Sequence, residues 1–430
     1  MRILLSAFTC DPRLGSEAAV GWAWACELAA AGNEVFVLTR SRQRVAIEYA
    51  LSRTPIPGLH FIYIDVHSIP WVIPFLRIYP HYFAWQLKAA RLVPGLLDLS
   101  TIDCVHHITI GTFRTPFFLA RLGVPSIFGP VGGGETTPFN FIRDLPLRGK
   151  VREIARAAAV FVERLNPMNW MTWRRSTMIL ATSADTLKMV PKRYRHKARV
   201  MPAVTTPFSA AATTPKSSPK PGTFRALFVG RLLEWKGPHL AIEAVNIARQ
   251  SIPGLTLTIV GNGRSEPWVR QLVKQKHLED QVRWVSTVPR EQLLDLYDTH
   301  DVLLFMNIRD AGGTVVLEAL ARGLPTVYLK LGAFGTLLDG GAGVEIAGKS
   351  PQQICAAVAL EMVRLSSLSS AQRKTMREAS SELATQFTPQ NAVNRAYSWF
   401  EEIGGAAPTL KNEPVTQNAT PLNFRPSGEP

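Results

Sequence analysis

Short apolar runs rich in β-branched residues alternate along the chain with longer segments of helical periodicity. In the first half the runs are RILLSAF (2–8), EVFVLT (34–39), HFIYID (60–65), DCVHHI (103–108), PSIFG (125–129), TMILAT (177–182) and ARVMP (198–202). In the second half they are FRALFVG (224–230), LTLTIVG (255–261), QVRWVS (281–286), DVLLFM (301–306), LPTVYL (324–329) and AGVEIA (342–347). Strands that alternate with helices indicate βαβ units and a buried parallel sheet. The pattern therefore predicts an α/β protein with two doubly wound domains.

A segment of different composition, residues 206–222, separates the two series of strands. It is rich in Pro, Ser, Thr and Ala and nearly devoid of large apolar side chains, which is typical of a linker. The 430 residues also exceed what one ordinary core holds. We expect a first domain over 1–205 and a second over 223–385, followed by a helix over 386–404. Residues 405–430 lack periodicity, which predicts a disordered tail.

The net charge of +15 is concentrated in the first domain, where 25 Lys and Arg residues face 13 Asp and Glu residues. This excess predicts an anionic partner, for which lipid head groups, nucleic acid and a phosphorylated substrate are candidates. A basic surface that only serves solubility fits the same numbers. Aromatic and basic residues mix in 67–97 and 141–175, a composition that suits a membrane interface or a lipid-linked acceptor and also a packed core.

The sequence contains no apolar run long enough to span a bilayer, and its N-terminus turns polar too early for a signal peptide. We therefore expect a cytoplasmic protein, with peripheral attachment to the inner face of the plasma membrane as a candidate property. Nucleic acid is the weakest of the candidate partners, because no known nucleic-acid-binding module is present.

The stretch RDAGGTVVLEALARGLP (309–325) follows a predicted strand and begins a helix. Gly312 and Gly313 let the backbone approach a ligand, and the helix is expected to begin near Thr314, which can cap it. Free N–H groups at a helix start bind anions. Glu318 lies four residues later on the same face, where a carboxylate can accept hydrogen bonds from sugar hydroxyls. A nucleotide-sugar offers both a diphosphate and a ribose, so it fits this arrangement.

A second motif, FVGRLLEWKG (228–237), ends the first predicted strand of the second domain. Arg231 and Lys236 follow a glycine turn and can neutralise one diphosphate leaving group without a metal. No Asp-x-Asp pair occurs in the chain, which argues against a diphosphate held through a metal. We therefore expect no metal and no cofactor.

These motifs resemble the Glu-x7-Glu and Gly-Arg-Leu-x-x-x-Lys-Gly elements of the retaining glycosyltransferases of family 4, which have the two-domain GT-B fold. The resemblance implies two Rossmann-like domains facing a cleft and a last helix that returns to the first domain. It implies that Arg231 and Lys236 hold the donor phosphates. Asp310 stands where the family has its first Glu, which leaves the choice of donor sugar open.

The resemblance also implies a function, namely metal-independent transfer of a hexose from a UDP- or GDP-sugar to a glycan or lipid-linked acceptor in polysaccharide biosynthesis. The acceptor hydroxyl would attack from the face that the diphosphate leaves, and the diphosphate would take its proton. An epimerase-like enzyme of the same fold and a catalytically degenerate binding protein remain as alternatives.

Three further stretches in the first domain supply candidate site residues. Gly15 and Ser16 resemble the family's glycine loop, which approaches the donor diphosphate. His106 and His107 are candidates for the family's histidine beside the anomeric carbon, and only one is expected to face the cleft because adjacent strand residues point to opposite faces. The loop GPVGGGETTP (129–138) offers Gly133, Gly134 and Glu135 on the acceptor side; Glu135 is expected to bind the acceptor or to orient the histidine.

Overall fold

The computed structural model describes residues 1–15, 17–66, 78–203, 205, 223–309, 312–331 and 343–404. Among these residues, two separate parallel sheets form, one in each half of the chain. The predicted linker over 206–222 and the predicted tail over 405–430 lie outside the described residues.

The first sheet has seven parallel strands. They are β1 (Arg2–Ala7), β2 (Glu34–Thr39), β3 (Leu59–Tyr63), β4 (Cys104–Thr109), β5 (Ser126–Val131), β6 (Met178–Ala181) and β7 (Ala198–Val200). Their order in the sheet is β3-β2-β1-β4-β5-β6-β7. Every position of β4 and β5 is buried, because helices cover both faces of the sheet. This double burial fits the few polar positions of β5, whereas β4 also buries the polar residues His106, His107 and Thr109.

The helices of the first half cover the two faces of this sheet. They are α1 (Glu17–Ala30), α2 (Arg44–Arg53), α3 (Ile78–Leu96), α4 (Phe139–Ile142), α5 (Leu147–Glu163), α6 (Pro167–Arg175) and α7 (Ala184–Met189). Trp24 of α1 packs on one face, and Tyr82 and Trp85 of α3 pack on the other.

The second sheet has six parallel strands. They are β8 (Thr223–Val229), β9 (Gly254–Val260), β10 (Val282–Val285), β11 (Val302–Phe305), β12 (Thr326–Leu329) and β13 (Gly343–Ile346). Their order is β10-β9-β8-β11-β12-β13. The helices of this half are α8 (Pro238–Ala248), α9 (Glu266–Gln275), α10 (Arg290–Thr299), α11 (Thr314–Ala321), α12 (Pro351–Ser366), α13 (Ser370–Thr385) and α14 (Pro389–Glu402). The predicted fold class, two Rossmann-like α/β domains, is confirmed.

The expected helix over 386–404 corresponds to α14 (Pro389–Glu402), and the preceding α13 is a separate helix. α13 ends at Thr385, and Thr388 then caps a new helix by accepting a hydrogen bond from the Asn391 N–H, with Pro389 in the first turn. The new helix, α14, packs against α1, and its Tyr397 and Phe400 are buried in a core cluster of the first domain.

Among the described residues, no single helix has the length and hydrophobicity to cross a bilayer. α12 and α13 meet that test only when taken together, across a bend of 119°.

Candidate functional site

The strand order of each sheet reverses once, between β1 and β4 in the first domain and between β8 and β11 in the second. In doubly wound sheets, ligands bind beyond the carboxyl ends of the strands at this reversal. The loops after β8 and β11 carry the two donor motifs found in the sequence. The topology therefore brings both motifs to the position where a ligand is expected.

In the second domain, backbone contacts hold these loops together. The Ile308 N–H, in the loop after β11, donates to the Trp235 carbonyl, in the loop after β8, at 2.9 Å. Gly237 adopts φ +69°, and a Cβ atom at this position would lie 2.1 Å from the Met306 carbonyl oxygen. Only glycine fits at this contact, so the spacing of the two loops is fixed by their backbones.

Arg231 and Lys236 both lie on the short segment between β8 and α8. Arg231 is exposed, and the Lys236 ammonium lies 4.5 Å from the centre of the Trp235 ring. Between them, the buried Glu234 accepts hydrogen bonds from Arg264 and from Arg152 of the first domain. The turn thus presents two cations while its one carboxylate is engaged elsewhere.

The glycine loop leads into α11 with one difference from the sequence expectation. Gly313 is the capping residue and has no side-chain cap, whereas Thr314 is the first helical residue. The prediction that Thr314 caps the helix is therefore wrong, because the chain enters the helix one residue earlier. Asp310 lies outside the described residues, and Gly312 is half-buried.

Glu318 lies on the first turns of α11 and is buried. Its Oε1 accepts a hydrogen bond from Arg290 at 3.0 Å and its Oε2 accepts one from the Tyr297 hydroxyl at 3.1 Å, both from α10. Burial raises the pKa of Glu318 above its ordinary value, although Arg290 and Tyr297 act in the opposite direction. Because an ionised carboxylate accepts about four hydrogen bonds, the two protein donors leave capacity for a ligand.

The expectation that one of the two histidines faces the cleft needs correction. His106 and His107 do point to opposite faces of β4, but each face is covered and neither ring is exposed. His106 Nε2 donates to the Gly129 carbonyl, and its Nδ1 accepts from the Tyr397 hydroxyl of α14. His107 Nε2 donates to the Ile110 carbonyl, and its Nδ1 contacts the Tyr82 hydroxyl. Neither histidine faces the cleft, because β4 lies at the centre of the sheet.

Burial also keeps both rings neutral at physiological pH. It lowers the pKa of His106 to about 4 and that of His107 to about 3, and the hydrogen bonds to backbone carbonyls only partly offset this effect.

Glu135 is likewise turned away from the cleft. Its Oε2 accepts from the Gly133 N–H at 2.9 Å, and its Oε1 accepts from the Ser183 and Thr186 hydroxyls at 2.5 and 2.7 Å. At Gly134 a Cβ atom would lie 2.6 Å from Thr186 Cα. The expected contact of Glu135 with the acceptor or a histidine is wrong for this structure, because its hydrogen bonds fasten the glycine loop to α7.

At the reversal in the first sheet, the sequence reasoning missed Glu17. Its Oε1 accepts a hydrogen bond from the Gly111 N–H at 2.7 Å, which joins the start of α1 to the loop after β4. Burial raises the pKa of Glu17, and the bond from Gly111 partly opposes this. Gly15 is exposed on the same loop, and Ser16 lies outside the described residues.

A second missed feature joins the two domains across the cleft. Arg309 Nε and Nη2 donate to the two carboxylate oxygens of Glu153, on α5, at 2.8 and 3.0 Å. The Thr137 hydroxyl donates to the same carboxylate at 2.6 Å. Burial would raise the pKa of Glu153, but the hydrogen bonds and charge of Arg309 outweigh it, so this pKa lies below its ordinary value. Arg309 directly precedes Asp310, so this ion pair fixes the position of the chain where the glycine loop before α11 begins.

Within the described ranges, no three His, Cys, Asp or Glu side chains come together in a way that could hold a metal ion.

Comparison with known proteins agrees with this geometry. Residues 211–377 match the model of the family described as glycosyl transferases group 1. Over these residues the chain is therefore similar to group 1 glycosyltransferases. The same residues contain the loops after β8 and β11 with Arg231, Lys236 and Glu318.

Two curated relatives extend the match beyond these residues. Glycogen synthase of Mycobacterium tuberculosis is 30% identical over 205 residues, which cover 47% of this chain and 49% of the relative. D-inositol 3-phosphate glycosyltransferase of Corynebacterium urealyticum is 27% identical over 276 residues, which cover 58% of this chain and 60% of the relative. The chain thus spans about half to three fifths of the length of these relatives.

Among solved structures, HepE of Anabaena in complex with UDP and glucose superimposes with a TM-score of 0.53 at 16% identity, covering 93% of this chain and 99% of HepE. Sucrose-phosphate synthase of Thermosynechococcus elongatus gives a TM-score of 0.60 at 16% identity, covering 94% and 98% of the two chains. At this identity the likeness supports the GT-B arrangement of two domains.

Proposed function

We propose that the protein is a retaining glycosyltransferase of family 4 that moves a hexose from a UDP- or GDP-sugar to a hydroxyl of a glycan or lipid-linked acceptor. The observation that carries this proposal is that Arg231, Lys236 and the start of α11 follow β8 and β11, the neighbouring strands at the reversal of the second sheet. A diphosphate at this position lies between two cations and the positive end of a helix. HepE, which shares the fold, was solved in complex with UDP and glucose, and this supports a nucleotide-sugar as the donor.

In this proposal Glu318 accepts hydrogen bonds from the donor ribose. Arg290 and Tyr297 hold the carboxylate in a fixed orientation, and its remaining lone pairs are directed to the ligand. Since Arg290 is half exposed, its side chain can also move towards the diphosphate when the donor binds.

The transfer itself needs no protein nucleophile. The bond from the anomeric carbon to the diphosphate oxygen breaks while the cations stabilise the leaving group. The acceptor oxygen then bonds to that carbon from the same face, and its proton passes to the departing diphosphate. Arg231, Lys236 and the helix start supply the positive charge, so the proposal includes no metal. Neither histidine takes part in its described position.

The biological setting that we propose is the synthesis of a polysaccharide at the cytoplasmic face of the membrane. The basic surface of the first domain supports this setting, because lipid-linked acceptors lie at an anionic interface.

A thermal-shift screen with UDP- and GDP-hexoses tests donor binding. Donor at about 100 times its Kd should stabilise the protein by roughly 2.7 kcal/mol. Arg231→Ala and Lys236→Ala should each remove most of this stabilisation, because a charge-assisted hydrogen bond contributes about 1.5–3 kcal/mol. Arg283→Ala and Lys274→Ala, which remove exposed cations of the same types from β10 and α9, should leave it unchanged. If no nucleotide-sugar raises the melting temperature of the wild type, the proposal is wrong.

A second candidate, a binding protein without transferase activity, is favoured by one observation, namely that protein donors already occupy both Glu318 oxygens. Incubation with donor and a mixture of acceptors separates the two candidates. Glu318→Gln should abolish product formation if the protein is an enzyme, whereas a binding protein yields no joined product in any variant.

A further inference from the structure

α5 has two faces of opposite character. Gly149, Glu153 and Val160 are buried against the rest of the protein. On the other side, five large apolar side chains are between 55% and 76% exposed, namely Leu147, Val151, Ile154, Phe161 and Val162. With 3.6 residues per turn, these five positions fall within a stripe about 100° wide and roughly 22 Å long. We call this stripe the α5 face.

Three more large apolar side chains are exposed close in sequence to the two ends of the helix. Phe139, before the helix, and Leu165 and Met168, after it, are 72%, 68% and 40% exposed. Single exposed apolar side chains are common, but a continuous row of this length on a surface helix indicates a contact with something apolar.

The charges around the α5 face are almost all positive. Residues 139–175 contain eight Lys and Arg residues and three Asp and Glu residues. Two of the three acids are engaged within the protein, since Glu153 is buried beneath Arg309 and Glu163 accepts hydrogen bonds from Asn166 and Asn169. The exposed basic residues are Arg143, Arg148, Arg152, Arg164, Arg174 and Arg175.

We propose that the α5 face docks on a lipid bilayer that contains anionic head groups. An amphipathic helix with an exposed apolar stripe bordered by cations inserts shallowly into the head-group region, and its cations bind the negative surface. A second protein chain explains the apolar row, but it does not explain why nearly every exposed charge beside the row is basic. The docking stands apart from the transfer reaction and does not depend on its being correct.

The position of α5 gives this docking a structural consequence. The buried side of the helix holds Arg309 through Glu153, and the adjacent Arg152 contacts Glu234 in the turn that carries Lys236. A bilayer bound to the α5 face therefore lies one helix diameter from the cleft between the domains, about 10 Å.

Flotation with vesicles tests the proposal. The full chain is mixed with vesicles of phosphatidylcholine alone or with about one third phosphatidylglycerol, and the fraction that floats is measured. We expect binding to the anionic vesicles that falls as salt rises. Ile154→Glu and Phe161→Glu should each weaken it by about tenfold to a hundredfold, because each removes an apolar side chain from the bilayer contact. Arg148→Glu should weaken it by about fivefold or more.

Two control variants place the same new charge on exposed apolar residues elsewhere. Val45→Glu on α2 and Leu360→Glu on α12, at positions 76% and 72% exposed, should bind vesicles like the wild type. Because all five substitutions are at exposed positions, thermal unfolding should show that each variant folds. The thermal shift with nucleotide-sugars is measured on the same samples, so failure of docking is distinguishable from failure of donor binding.

Three outcomes would overturn the proposal. The first is that the wild type fails to float with anionic vesicles. The second is that the α5 variants float as well as the controls. The third is that analytical ultracentrifugation shows a wild-type dimer which Ile154→Glu dissociates, and the α5 face is then an interface between copies of the chain.

Discussion

Removal of the Arg309 side chain should loosen the contact between the two domains. Glu153 is only 3% exposed and Arg309 13% exposed, so Arg309→Met leaves a buried carboxylate with the Thr137 hydroxyl as its described remaining donor. Breaking a buried pair from one side costs about 3–5 kcal/mol, whereas an exposed pair contributes about 0–1 kcal/mol. The exposed pair Arg44–Glu48 on α2 serves as the matched control.

Hydrogen exchange followed by mass spectrometry measures this effect locally, which suits a chain of two domains whose global unfolding need not be two-state. A loss of about 3 kcal/mol raises the opening equilibrium by roughly a hundredfold, so α5 and residues 302–309 should exchange about that much faster in Arg309→Met. Glu153→Met should have a similar effect. The double variant should recover much of the protection, because the unpaired charge is then gone.

The stabilisation by the Arg309–Glu153 pair should also depend on pH. Since the pKa of Glu153 is lowered in the folded protein, its stabilisation is fully present above the ordinary carboxyl value of 4.5 and disappears as the pH falls through the lower folded value. In the wild type, the protection of α5 amides from hydrogen exchange should therefore decrease as the pH falls. In Arg309→Met this decrease should be smaller. Exchange in α5 that is unchanged in Arg309→Met, or changed no more than in Arg44→Met, would refute this reasoning.

Two further predictions concern the fold around the site. Gly237→Ala should destabilise the second domain by more than 1 kcal/mol in thermal unfolding, because its Cβ would meet the Met306 carbonyl. Gly32→Ala, at φ +85° with open space around it, should cost only the smaller backbone strain. His106 and His107 bind protons in the unfolded chain near pH 6.5 but, when folded, only near pH 4 and 3, so stability should fall steadily as the pH drops below about 6.5. Their ring-proton NMR signals should not shift between pH 5.5 and 8, and a shift there would show that a ring is exposed.

The strands could be predicted from the sequence because several of them, namely β4, β5, β6, β11 and β12, are buried along their whole length. All 13 predicted runs correspond to strands of the described chain, with ends within two residues of the expected positions. A strand covered by helices on both sides needs apolar residues at nearly every position, and this pattern is visible without knowledge of the neighbours. Gly237, before α8, is required for a local reason as well, since only a residue without a side chain permits its approach to the Met306 carbonyl.

The orientation of side chains could not be predicted in this way. Whether His106 reaches the cleft depends on Tyr397, which lies 291 residues away and arrives on α14. Glu153 and Arg309 are 156 residues apart, and neither lies in a pattern that indicates a partner. Glu318 was identified from its spacing to the helix start, but its partners on α10 follow only from the packing of α10 against α11. Contacts of this kind are properties of the assembled domains.

The two sides of the cleft differ in what their loops offer a ligand, and this difference explains where sequence motifs were informative. In the first domain the loops brace one another: Glu17 binds the Gly111 N–H, Arg114 donates to the Gly133 carbonyl and Glu135 closes the glycine loop. The charged side chains of these loops therefore form hydrogen bonds mainly within the protein. In the second domain a backbone hydrogen bond from Ile308 to Trp235 joins the loops after β8 and β11, and the Arg231 side chain is exposed. A fixed diphosphate requires cations in a fixed pattern, so the second domain has a recognisable motif. Loops that are held by hydrogen bonds to backbone groups place fewer demands on residue type, so the first 205 residues carry no motif of comparable specificity.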